Sequence, residues 1–262
     1  MSSTFVLPQR SSVHMMTDGV VYDRNGVITI ADLTKAAALP SLPAAVACTG
    51  PAFLTSSLAS RIDVDFASFD DFVEHAESWL PATFTALAEK HRNGDAFSTF
   101  YIIGWLEKQN RPAAYAMDLW TDRSSRIEQV LANSGGATQC SRLIEQSTIS
   151  GTSLNPELVE RCGFRLRRND DYVPELDLLH ITEVARQEQI EGAHWVGGKI
   201  LLTSVDAKGI TQRVVHQYSN DSAGAAIQPE PVDDWTVWRR EMEGRGRKWW
   251  RRAKSSSSPS RP

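Results

Sequence analysis

Four residues in the first fifty carry groups suited to acyl-transfer chemistry: Ser2, Asp18, Lys35 and Gly50. A serine hydroxyl is a poor nucleophile until a base takes its proton. A free α-amine has a pKa near ~7.7–8.0, so a serine at a chain terminus carries its own base. Ser2 meets that requirement once Met1 is removed, a step that methionine aminopeptidases perform when the second residue is small. A lysine nearby would lower the amine's pKa by like-charge repulsion, and a buried aspartate would hold that lysine charged and oriented. The N–H of Gly50, where a strand gives way to a helix, could stabilise an oxyanion. Taken singly, each residue also suits an ordinary use: Asp18-Gly19 as a turn, Lys35 as a surface charge, Gly50 as a hinge.

The elements that must position these residues are legible around them. Residues 2–50 read as short strands joined by polar turns, with Asp23-Arg24-Asn25-Gly26 the clearest hairpin signal. Pro40-Ser41-Leu42-Pro43 turns into the apolar strand Ala44 to Cys48, which Gly50 closes. Phe53, Leu54, Leu58 and Ile62 share one helical face between Pro51 and Ile62. A second helix is capped by Ser68, with Asp70 and Asp71 at its positive end; Pro81 should bend or restart it before Lys90 and His91. A hairpin spans Phe97 to Leu119, and Ile127 to Ala132 reads as a further strand. Asn155 caps a helix over Pro156 to Cys162, and another runs from Pro174 to Glu191 with an imperfect apolar face. A last hairpin covers Gly197 to Tyr218, turning at Asp206 to Gly209. Consecutive helices between hairpin-joined strands argue against alternating parallel βαβ units. They predict an α+β fold, a four-layer αββα sandwich of two antiparallel sheets flanked by helices.

Composition narrows the function classes. With 262 residues and 41% apolar content, the chain can bury one large core plus appendages. A net charge of −4 speaks against nucleic-acid binding over the whole surface. No apolar run approaches the ~18 residues of a membrane span, and no basic-then-apolar leader precedes the domain, so a cytoplasmic location is expected. Cys48, Cys140 and Cys162 lie far apart and read as reduced core residues. The six histidines show no metal-type pairing and the glycines no phosphate-loop spacing, so no cofactor or metal is expected.

Val13-His14-Met15-Met16-Thr17-Asp18-Gly19, Leu33-Thr34-Lys35 and Leu39 to Gly50 together resemble the proteasome-type N-terminal nucleophile hydrolases, including HslV-like and prophage proteasome-like proteins. With the element order, the resemblance extends over residues 2–220. It implies Ser2 as nucleophile, Lys35 as activator, Asp18 as orienter and Gly50 as oxyanion donor. Ser2 lies 16 residues before Asp18 and 33 before Lys35, and Lys35 lies 15 before Gly50, close to the family's pattern. Ser3 suits the Lys35 spacing better, but as a nucleophile it would need an extra cleavage. The resemblance further implies a serine beneath the nucleophile, matched by Ser134 in Ser134-Gly135-Gly136, and a late supporting aspartate among Asp170, Asp171 and Asp177. It implies a peptide or amide substrate and a homo-oligomeric ring or stacked ring. The alternative is a catalytically inactive assembly or structural protein of this fold, such as a prophage-derived one.

Residues 221–262 differ in composition. Ser219 to Gly224 reads as a linker, Gln228-Pro229-Glu230-Pro231 as extended, and Ser255 to Pro262 as disordered. Four of the eight tryptophans (Trp235, Trp238, Trp249 and Trp250) lie in this segment beside a run of Arg and Lys, with Gly244 and Gly246 expected to interrupt any helix. The bland reading is a surface helix pinned by Trp235 and Trp238 with a solvated tail. The functional one is a weak anionic partner, held by charge and by stacking indoles.

Overall fold

The computed structural model describes residues 3–91, 97–121 and 142–256. It is a mixed α+β protein. Among the described residues, one five-stranded antiparallel sheet has the order β10-β1-β2-β11-β12. Its strands are β1 (Thr4–Pro8), β2 (Ser12–Thr17), β10 (Ser150–Gly151), β11 (Lys199–Asp206) and β12 (Gly209–Gln217). The second sheet runs β5-β6-β7-β8-β9, from β5 (Ala36–Leu39), β6 (Ala44–Cys48), β7 (Phe97–Leu106), β8 (Arg111–Trp120) and β9 (Ile144–Glu145). A two-stranded ribbon, β3 (Val21–Tyr22) and β4 (Ile28–Ile30), closes on the expected turn at Gly26.

Strand alternation sorts side chains into separate cores. Val6, Val13, Met15, Leu201 and Val205 of the first sheet share a cluster with Ala36, Ala45, Ala47, Tyr101, Ile103 and Ala114 of the second. Alanines on one side let the sheets approach closely around the larger side chains of the other. The opposite face of the second sheet (Val46, Phe100, Ile102, Tyr115, Met117) buries α1 (Leu54–Asp65) and α2 (Phe69–Lys90). Gly104 is needed there because a Cβ would lie 2.5 Å from the Phe69 ring. The opposite face of the first sheet (Phe5, Leu7, Met16, Ile200, Leu202) packs on α4 (Pro174–Gln187), which α3 (Pro156–Arg161) flanks.

Ser68 caps α2 as its position predicts, accepting from the Asp71 N–H. Pro81 does not divide that helix, which runs unbroken. The C-terminal helix α5 (Trp235–Ser256) also continues through Gly244 and Gly246, contrary to expectation. Glycine lowers helix propensity by only ~1 kcal/mol, too little to stop a helix anchored elsewhere. The anchor is Trp235 and Trp238, packed on His180 of α4 at 5.1 and 5.5 Å between ring centroids. Residues 221–227, expected as linker, are tied to the domain: Asp221 is buried, and Ile227 packs with Val20 and Ile28. Cys48 and Cys162 are free buried thiols; Cys140 and the expected strand Ile127–Ala132 lie outside the described residues. No helix among the described residues is long and apolar enough to cross a membrane.

Candidate active site

The antiparallel register of β1 and β2 sets the centre. Thr4 pairs with Thr17, so Ser3 faces Asp18 across the end of the ladder. The Asp18 N–H donates to the Ser3 carbonyl at 3.3 Å, and the Ser3 N–H donates to Asp18 Oδ1 at 3.0 Å. Lys35, the last residue before β5, donates through Nζ to both Asp18 oxygens, each at 2.9 Å. Asp18 is 1% exposed and Lys35 7%. A buried ion pair is tolerated only where geometry and hydrogen bonds offset the loss of hydration. Here one carboxylate serves a lysine and a backbone amide together, and the Val20 N–H approaches Oδ2 at 3.4 Å.

Lys35 and Gly50 share the wall of one small cavity of about 70 Å³, completed by Val20, Leu33, Cys48 and Thr55. Gly50 has φ +93°, and a Cβ would come within 2.6 Å of the Phe97 carbonyl, so glycine is required twice over. It stands in the turn before α1, which begins at Leu54 and not at Pro51 as expected. The neighbouring Thr49 is fully used by β7: its carbonyl accepts from Ser98 Oγ and its hydroxyl from the Thr99 N–H. Cys48 is no rival nucleophile, because burial pushes its thiol up to about 12.

The structure thus brings Asp18, Lys35 and Gly50 to one place. Ser2 and Ser134 lie outside the described residues. Ser3 is wholly buried at the start of β1, with its amide given to Asp18, and is not placed as a terminus. Two of the three late aspartates are engaged otherwise. Asp170 accepts from the Arg10 N–H; Asp177 caps α4 through the Val173 N–H and pairs with Arg167 and with Arg239 of α5 at 2.7 Å. Among the described residues, no three His, Cys, Asp or Glu side chains converge as a metal site.

Sequence reasoning missed the support behind the centre. The Gly19 N–H donates to the Gly197 carbonyl at 3.0 Å, and Asp221 accepts from the Gly198 N–H at 2.7 Å. Gly197-Gly198 was a visible signal before a strand; Asp221, inside a polar Ser/Asn stretch, offered none. No protein-family model and no curated protein sequence matches this chain.

Proposed function

We propose that this chain is a proteasome-type N-terminal nucleophile hydrolase, with four αββα layers over residues 2–220, that cleaves peptide or other amide bonds through Ser2. The observation that carries the reading is the buried Asp18 carboxylate bridging Lys35 Nζ and the Ser3 amide. Ser2 is joined to that amide by one peptide bond, which makes it the nearest candidate nucleophile along the chain.

The chemistry follows from those positions. With Met1 removed, the α-amine of Ser2 accepts the proton of its own hydroxyl, directly or through water, as the oxygen attacks the amide carbonyl. Lys35, fixed by Asp18, supplies positive charge that favours the alkoxide-like oxygen and keeps the α-amine neutral near pH 7. The Gly50 N–H serves the oxyanion. The protonated α-amine then gives its proton to the leaving amine, and water releases the acyl group by the same route. The cavity walled by Lys35 and Gly50 has room for one small substrate side chain.

Assembly as a ring or stacked ring, a cytoplasmic setting and a weak anionic partner for residues 235–254 belong to the same proposal. A second reading is an assembly protein that keeps the fold without catalysis. It is favoured by the diversion of Asp177 to Arg167 and Arg239, which leaves that candidate for a late supporting aspartate otherwise occupied. The intact mass of the protein separates the two readings first, since retained Met1 leaves no free Ser2 amine. If Met1 is absent, Ser2→Ala should abolish cleavage of short amide substrates without changing the fold. Undiminished cleavage by that variant would overturn the hydrolase reading.

A further inference from the structure

Asp18 sits in a turn, and a turn is only as fixed as what lies behind it. Behind this one is the Gly197-Gly198 loop. It receives the Gly19 N–H at Gly197 O and approaches so closely that no side chain fits at any of the three glycines. A Cβ on Gly19 would lie 2.9 Å from the Lys199 carbonyl, one on Gly197 2.3 Å from Asp221 Oδ2, and one on Gly198 2.3 Å from the Ala31 carbonyl.

The loop is itself clamped by one buried ion pair. Arg186, on the last turn of α4, meets Asp221 through both terminal nitrogens, each at 2.8 Å, and donates from one of them to the Val196 carbonyl at 2.7 Å. Asp221 returns a bond to the loop through the Gly198 N–H. The Tyr218 ring covers the guanidinium at 3.9 Å, the Tyr218 N–H donates to the Gly198 carbonyl at 3.0 Å, and its hydroxyl donates to Glu183 at 2.6 Å. A planar fork held bidentately fixes orientation as well as distance. The path from clamp to centre is therefore four short links: Asp221, Gly198, the Gly197 carbonyl and Gly19, which is bonded to Asp18.

We infer that the Arg186–Asp221 pair is a positioning device for the Asp18–Lys35 centre, supplied by the segment following the last strand. Its effect on catalysis rests on the hydrolase reading above; its effect on the Asp18 turn does not. Two variants of the full chain test it: Asp221→Asn, which keeps the shape and loses the charge, and Arg186→Lys, which keeps the charge and loses the fork. Residue-resolved amide hydrogen exchange should show protection at Ser3, Gly19 and Gly198 falling by about tenfold or more, with Ile102 and Met117 of the second sheet unchanged. In an active protein kcat should fall roughly a hundredfold with KM nearly constant, because the reacting groups are displaced while the cavity wall is not. The alkaline-going limb of the pH–rate profile should move, since the distance from Lys35 to the amine sets that amine's pKa.

Unchanged protection at Ser3 and Gly19 in both variants overturns the inference, as does a loss spread evenly over both sheets. A wild type that cleaves nothing while the variants show the local loss would sink the hydrolase reading and leave the clamp standing. An active wild type with variants unaltered in kcat and exchange would do the reverse. Should Asp221→Asn fail to fold, Arg186→Lys carries the same comparison.

Discussion

Two buried ion pairs lie on either side of the Gly19 turn, and they differ in the cation. Asp18 holds a lysine at 2.9 Å; Asp221 holds an arginine at 2.8 Å. Both are nearly sealed from solvent, so burial does not distinguish them. An arginine stays charged under all conditions a protein meets, and its planar fork uses both carboxylate oxygens at once. A lysine is a compact charge on a flexible stem, able to serve several acceptors. The first pair borders a small cavity beside a strained glycine; the second clamps a loop beneath an aromatic ring. On the hydrolase reading, the same burial of opposite charges would provide chemistry in one place and geometry in the other.

Exchanging the cations tests that contrast most severely. Lys35→Met should lower hydrolysis by about a thousandfold, the scale of losing acid–base assistance. Lys35→Arg should not restore it, because the fork cannot reproduce a single ammonium between Asp18 and the α-amine. Steady-state turnover of a short amide substrate measures both, and near-normal activity in Lys35→Arg would break the contrast.

Stability comes next. Arg186→Met strands a buried carboxylate and should cost about 3–5 kcal/mol, whereas Arg186→Met with Asp221→Leu should recover most of that loss. Urea unfolding midpoints decide it; a double variant no better than the single one would mean that the pair stabilises in its own right.

Acid should act unequally on the two pairs. His180 lies against α5 and Arg239, and His216 near Arg245 and Arg186; burial first, and then those arginines, hold both histidines down to about 4. The folded pKa is below the unfolded value near ~6.5, so the unfolded chain binds more protons between those limits. Stability contributed by the neutral rings is present above pH ~6.5 and is lost as pH falls towards 4. Protection at α5 and the Asp221 clamp, corrected for the intrinsic exchange rate at each pH, should therefore fall before protection at the second sheet in a titration from pH 7 to 4.5. His180→Gln should flatten that dependence.

The smallest effect is a control far from both pairs. Ser68→Ala removes the α2 cap and should cost ~1 kcal/mol without changing turnover.

The first half of the chain was legible because its signals are local. Ser68 caps where it should, Gly26 turns the ribbon, and alternation along β6 and β7 assigns each side chain to one of two faces. Asp18 and Lys35 were readable as partners only through the resemblance to a known family's pattern; taken singly, each suited a turn or a surface charge. The later half was less so, because α4 is buried from Leu176 to Arg186 on every side. Its polar positions are satisfied by distant groups: Asp177 by Arg239, Glu183 by Tyr218, Arg186 by Asp221. A helix that buries charge on one face and hydrocarbon on another shows only a blurred stripe, hence the imperfect pattern. Asp221 sat among residues that ordinarily make linkers, and only the fold reveals its partner. The α5 helix was underestimated because two glycines weigh less than tryptophans packed on His180.

The clamp also imposes an order in time. Ser3 and Asp221 are separated by 218 residues, and synthesis at ~5–20 residues per second spaces their emergence by about 10–45 s. Throughout that interval the Asp18 turn lacks the Asp221 clamp, and for most of it also the Gly197-Gly198 loop that receives the Gly19 N–H. On the hydrolase reading, a centre that acts on amide bonds would remain unassembled until nearly all of the chain had been made. Late completion of the centre would then be written into topology.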